Sequence, residues 1–316
     1  MADGTQREAG DLRTELRSFI GRHTEKTFDW DAFPANRGYP LLARAQMRYV
    51  GAGGSPKVDD RSTLEPLHFT VSLIHQPVGH YAAAHSHEVV ESFVVLDGVL
   101  TVGWSEDGDT VEVKLGPKDL ILNASGIAHG FRNDGIEPVL MSVMVGHGSP
   151  LPPQYHAHPK EIGDDAAIRF GTQPGRTFAL SSGAKRPLQE KMARNVIRYR
   201  ERRPEWDAAG FARMVYIGHG GIEGGQNRTE LITVPKGAGV RGYERPAEET
   251  YFLLSGCITV GWEGNGERVE ERLGPRDLVF NPAGRAHYFR NDGVEDAQFF
   301  MVVGASQAEE VSFRAT

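Results

Sequence analysis

The chain begins with a helical rhythm and then changes to a strand rhythm. Leu12, Leu16, Phe19 and Ile20 fall at i, i+4, i+7 and i+8, and Gly21 follows where a helix would stop. This spacing predicts one short amphipathic helix. From about residue 44 onward the apolar positions come in short β-branched and aromatic runs, parted by Asp-Gly, Asn-Asp-Gly and Gly-Pro turns. No long helical stretch interrupts them, so the pattern is that of an all-β sandwich or barrel.

The strand pattern is written twice. Gly79 and Gly237 are 158 positions apart (237 − 79), and the same offset relates Glu91 to Glu249, Gly98 to Gly256, Trp104 to Trp262 and His129 to His287. The segments VGW, LGP(K/R)DL and FRNDG recur almost unchanged and without a gap. Further upstream, RAQMRY (Arg44–Tyr49) matches RNVIRY (Arg194–Tyr199) at an offset of 150. The organisation expected is an arm over 1–43 carrying the helix, a first unit over 44–147, a connection over 148–193 rich in Pro, Gly and charge, a second unit over 194–305 and a tail over 306–316.

Composition narrows the class. A chain of 316 residues can bury two cores, and 39% hydrophobic with 24% charged residues is ordinary for a globular protein. A net charge of −7 and a pI near 6.0 argue against a general nucleic-acid binder, and the basic run Arg194–Arg203 reads as a solvated or salt-bridged face. The single cysteine, Cys257, allows no intrachain disulfide and reads as a small buried hydrophobe. No stretch approaches the roughly 20 apolar residues that span a bilayer. The polar, acidic N-terminus is unlike a signal peptide, so a cytoplasmic location is expected, with no membrane partner.

Candidate chemistry concentrates between Gly79 and Gly98. His85 and His87 are two apart, so on a strand both imidazoles project from one face, and Glu91 could join them if the chain bends back. The series Gly79, His85-x-His87, Glu91, Gly98 resembles the first signature motif of the cupins. Ala124-x-Gly126-x-x-His129-x-x-x-Asn133 resembles the second, with Ala124 where the family usually has proline and with Gly116 two residues further upstream than usual. The resemblance implies an all-β bicupin, two tandem cupin jelly-roll β-barrels with a short N-terminal helical arm. It further implies one divalent metal ion per chain, held in the first barrel by His85, His87, Glu91 and His129. Without a metal, three buried imidazoles and a glutamate would strand several polar groups. Imidazole and carboxylate donors suit Fe(II) first in this reading, with Mn(II), Ni(II), Co(II) or Zn(II) also compatible.

Strand alternation places Phe93 and Val95 on the inward face with Glu91, and Phe131 with His129, while Tyr81 lies near the mouth. Such a pocket suits a small aromatic or enolisable substrate. In the second copy the ligand positions hold Tyr243, Arg245, Glu249 and His287. Arginine does not ligate a cation, so the expectation is an Arg245–Glu249 pair inside a structural barrel. The alternative is an anion pocket formed by Arg245, Tyr243 and His287. His156-x-His158 lies among prolines with no carboxylate at suitable spacing and is read as part of the connection.

One metal-bearing copy followed by a degenerate one is similar to gentisate-type dioxygenases, and the retained Glu91 is similar to flavonol-type dioxygenases and to oxalate decarboxylases. These resemblances imply a non-haem metal-dependent dioxygenase, with dioxygen as co-substrate and Glu91 as ligand or as a general base whose pKa the apolar surround raises. A decarboxylase, isomerase or hydrolase would need the same ligands, and a non-enzymatic small-ligand-binding cupin is the third alternative. A homodimer or higher homo-oligomer is expected by analogy.

Overall fold

The computed structural model describes residues 11–58, 60–156, 158–162, 187–264, 266–305 and 311–313. Most of the expected connection and tail lies outside the described residues. Within them the chain forms four antiparallel sheets, two for each repeat. The first repeat has a six-stranded sheet in the order Val196–Ile197, Leu120–Asn123, Glu91–Asp97, Val139–Val145, Thr70–Gln76, Ala45–Val50. Its second sheet runs Gln154–Tyr155, Tyr81–Ser86, Ala128–Arg132, Leu100–Glu106, Asp109–Leu115. The second repeat builds a seven-stranded and a five-stranded sheet in the same way. The all-β architecture of two jelly-roll barrels is the one the repeat predicts.

Period-two alternation divides each larger sheet between two cores. Phe93, Val95 and Ile121 point into the first barrel with Trp104 and Phe131, whereas Val94, Leu120 and Leu122 point away from it. Those outward residues form a shared core with the second repeat, in which Tyr49 and Leu73 meet Phe252 and Phe300. The Tyr49 and Phe252 rings stand edge to face at 5.5 Å. The 158-residue offset also holds for side-chain contacts. The Trp104 indole donates to Asn123 at 2.7 Å and the Trp262 indole to Asn281 at 2.8 Å.

Strand register corrects the upstream match at offset 150. Ala45 pairs with His75, and Ala212 pairs with Thr233, the counterpart of His75 (233 − 75 = 158). The second barrel's equivalent of Ala45–Val50 is therefore Ala212–Ile217, not residues 194–199. Residues 187–199 repeat the N-terminal arm instead: the helices Leu12–Ser18 and Pro187–Arg194 are each followed by a two-residue strand. The arms are crossed. Ile20 pairs with Val279 in the second barrel, and Val196 pairs with Ile121 in the first. Asp277 accepts from Arg22 Nη1 at 3.0 Å and the His23 amide at 2.9 Å, while Asp119 accepts from Arg198 Nη1 at 2.8 Å and the Tyr199 amide at 3.0 Å. Leu16 and Met192 bury these arms against the cores they reach. Among the described residues no helix is long and apolar enough to cross a membrane.

Candidate metal centre

The strand Tyr81–Ser86 pairs with Ala128–Arg132 through Ala82 opposite Phe131 and then His85 opposite His129, so it carries one extra residue as a bulge. The bulge turns His85 into the barrel on the same side as Ala82, while Tyr81 and Ala83 face outward against Leu42. The chain turns after His87, whose carbonyl accepts from the Gly126 amide at 2.9 Å, and returns as Glu91–Asp97. Glu91, His85, His87 and His129 thereby meet, each at most 6% exposed, with their ligating atoms all within 4.8 Å of one another. From Glu91 Oε2 the Nε2 atoms lie at 2.9 Å (His129), 3.7 Å (His87) and 3.9 Å (His85).

Two backbone carbonyls fix the tautomers. His85 Nδ1 lies 2.8 Å from the Ala83 carbonyl and His129 Nδ1 lies 2.9 Å from the Ile127 carbonyl, so each Nδ1 donates and each Nε2 lone pair faces the carboxylate. His87 Nδ1 is buried without a hydrogen-bond partner. Lone pairs directed at a carboxylate repel it unless a cation stands between them. Burial lowers the His85 imidazole to about 4 and lowers that of His87, which keeps both neutral. Burial also opposes ionisation of Glu91, but in the acid range, where the facing imidazoles carry protons in place of lone pairs, the pull of His87, His129 and His85 outweighs it and holds the carboxyl well below its usual range. The expectation of a raised Glu91 pKa is thus reversed, because the imidazoles overcome the apolar surround. Neutral imidazoles and one carboxylate make a donor set that fits a single divalent ion.

A cavity of about 30 Å³ adjoins the cluster. Phe93 and Phe131 line it, as the strand pattern suggests, but Val95 lies deeper in the core and Tyr81 on the outer face. Ile74 and Val143 of neighbouring strands also line it, and Phe33, Arg44 and Tyr155 join the wall without any signal in the strand pattern. Arg44 is 6% exposed, and its guanidinium lies 4.0 Å over the Phe33 ring.

The second barrel holds a different cluster at the matching positions. Glu249 is fully buried and accepts from Arg245 Nε at 2.5 Å, from the Tyr251 hydroxyl at 2.6 Å and from the Tyr243 hydroxyl, with His287 Nε2 at 3.2 Å. Burial disfavours the Glu249 charge, but His287 and Arg245 overcome it and bring the carboxyl down to about 2. Tyr251 stands where the first barrel has Phe93 (251 − 93 = 158), so the repeat itself carried the signal for it. In the connection, His158 is buried with Nε2 3.3 Å from Asn36, and the exposed His156 meets Ser86, so the pair does not converge.

The cupin domain family model matches residues 72–146 and again residues 230–303. The chain is a bicupin of the cupin superfamily. Solved structures of similar fold include oxalate decarboxylase of Bacillus subtilis, at 15% identity and a TM-score of 0.67, covering 93% of this bicupin and 79% of that chain. The oxalate decarboxylase of Lactobacillus farciminis, solved as a formate complex, is 13% identical with a TM-score of 0.64, covering 93% and 88%. Dimethylsulfoniopropionate lyase DddQ of Ruegeria pomeroyi is 37% identical over 81 residues, which span 25% of this bicupin and only 39% of that relative's length.

Proposed function

We propose that this bicupin is a metal-dependent enzyme whose first barrel cleaves a small carboxylate substrate without net oxidation, as a decarboxylase or lyase. The observation that carries this reading is Arg44. Its guanidinium is buried in the cavity wall beside His85, His87 and Glu91, and its Nε has no hydrogen-bond partner. Burial lowers its pKa, while Tyr155 and Glu91 support its charge. A buried guanidinium with an unused donor is costly unless an anion reaches it. Oxalate and dimethylsulfoniopropionate, the compounds in the names of the similar proteins, are both carboxylates.

In this reading His85, His87, Glu91 and His129 hold the ion, which supplies Lewis acidity to a substrate oxygen. Arg44 orients the substrate carboxylate, and the phenyl rings of Phe33, Phe93 and Phe131 exclude water and strengthen that pairing. Glu91 stays ionised and acts as a ligand rather than as a proton donor. A cavity of about 30 Å³ favours a substrate of a few heavy atoms over a multi-ring one. Mn(II) joins Fe(II) as a leading ion because the Bacillus subtilis enzyme has Mn(II) centres. The three phenyl rings support a second reading, a dioxygenase acting on one small aromatic ring. We also propose a homo-oligomer, for which the edge strand Glu205–Trp206, with its indole 67% exposed, is the supporting feature.

The test is consumption of oxalate and of dimethylsulfoniopropionate by Mn(II)- or Fe(II)-loaded protein, with dioxygen uptake recorded alongside. Turnover with far less than one dioxygen per substrate is expected, and Arg44→Met should raise KM about ten- to hundredfold, the worth of one charge-assisted contact. One dioxygen taken up per substrate lost would replace this reading with the dioxygenase.

A further inference from the structure

The barrel that lost the metal ligands has the larger cavity. A space of about 630 Å³ opens inside the second barrel, against about 30 Å³ beside the metal cluster of the first. Its volume is in the range of sites that enclose a small organic molecule. Phe211, Ile232, Phe289 and Met301 give it an apolar wall, and Phe313 from the C-terminal strand stands at its edge. Two charged groups that also line it are incompletely used. Arg245 commits Nε to Glu249, and its two terminal nitrogens have no partner among the described residues. Glu230 is 1% exposed; Arg228 takes its Oε1, and its Oε2 is buried without a partner.

Neither loose end is needed for the structural role of the Glu249 cluster. Glu249 is already held by Tyr243, Tyr251, His287 and the Nε of Arg245. The core positions are filled alike in the two barrels, by Trp104, Val95 and Phe131 in the first and by Trp262, Leu253 and Phe289 in the second, so the larger space is left over after the second core is packed. An unpaired buried acceptor and an unused guanidinium edge on one apolar cavity are complementary to a molecule carrying both an anion and a hydrogen-bond donor.

We infer that the second barrel is a separate binding site for a small aromatic carboxylate bearing a hydroxyl or amino donor. The carboxylate pairs with the terminal nitrogens of Arg245, the donor meets Glu230 Oε2, and the ring lies against Phe211 and Phe289. This site is independent of the metal centre and of the chemistry proposed there.

The test is calorimetric titration of the full chain with 4-hydroxyphenylacetate and with its methyl ester. Saturable binding of the acid is expected, with the ester about tenfold weaker or worse for want of the charge-assisted pair. Binding should persist in His85→Ala and in Arg44→Met, which alter only the first barrel. It should weaken about tenfold in Arg245→Lys, which keeps the charge facing Glu249 but loses the fork, and disappear in Ile232→Trp, which fills the space. Thermal melting would verify that each variant is folded. Failure of the acid to bind at millimolar concentration, equal binding of the ester, or loss of binding in Arg44→Met would each overturn the inference.

Discussion

Replacing Arg245 with methionine tests whether the second barrel has exchanged a metal for a guanidinium. Glu249 is fully buried, and its descent from 4.5 to about 2 corresponds to about 3 kcal/mol in favour of the ionised form. Arg245 is one of the groups responsible, after the hydrogen bond from His287, and the only one whose positive charge does not depend on protonation near neutral pH. Breaking a buried pair from one side typically costs about 3–5 kcal/mol. Because the Tyr243 and Tyr251 hydroxyls still donate to the carboxylate, a loss near the lower figure, about 3 kcal/mol, is expected at pH 7. The sign with pH follows from linkage. In the wild type the depressed Glu249 pKa gives stability that is present above about 4.5 and lost as pH falls through about 2. Without Arg245 the folded pKa rises, so the variant's deficit should be greatest at neutral pH and shrink toward pH 4. The assay is urea unfolding followed by tryptophan fluorescence, to which the buried Trp104 and Trp262 both contribute, for Arg245→Met, Glu249→Gln and the double variant. The double variant should recover at least half of the loss, because the uncompensated charge is gone. A single-variant loss below about 1 kcal/mol at pH 7, or a double variant no more stable than the single, would refute the exchange.

Two further outcomes follow from the same physics. Asp119→Ala removes acceptors for Arg198, the Tyr199 amide and the Gly116 amide, and should cost about 2 kcal/mol in urea unfolding; Asp277→Ala should cost a similar amount through the other arm, and a loss for only one of them would contradict the crossed arrangement. In metal-free protein the lowered His85 pKa means that the unfolded chain binds protons first, so stability should fall as pH drops from about 6.5 to about 4, by roughly 3 kcal/mol; Glu91 acts in the same direction below its unfolded value. A flat urea midpoint between pH 7 and 5 would contradict this.

The parts of the fold that were legible in the sequence are those set by short spacings. The two-residue step from His85 to His87 and the gap-free 158-residue repeat expose both barrels and the residues that converge in each. The crossed arms were hidden because their strands are only two residues long, Ile20–Gly21 and Val196–Ile197, too short for a periodic signal, while RNVIRY offered a false match to RAQMRY. The inward turn of His85 depends on a bulge, and the same bulge explains why Tyr81 misses the cavity. Arg44 and Phe33 reach the site from segments that flank the barrel strands, and Tyr155 from the two-residue edge strand Gln154–Tyr155, where tertiary packing decides their position and no local period announces it. Glu91 was misjudged electrostatically because an apolar neighbourhood was weighed without the three imidazoles that face the carboxylate.

The most direct test of the metal centre is elemental analysis of protein purified without a metal-affinity tag and then exposed to Fe(II) or Mn(II), beside His85→Ala and His129→Ala. About one metal ion per chain, lost in both variants, is the result expected from the one converging cluster among the described residues. No uptake by folded wild-type protein, or a full equivalent retained in both variants, would contradict it.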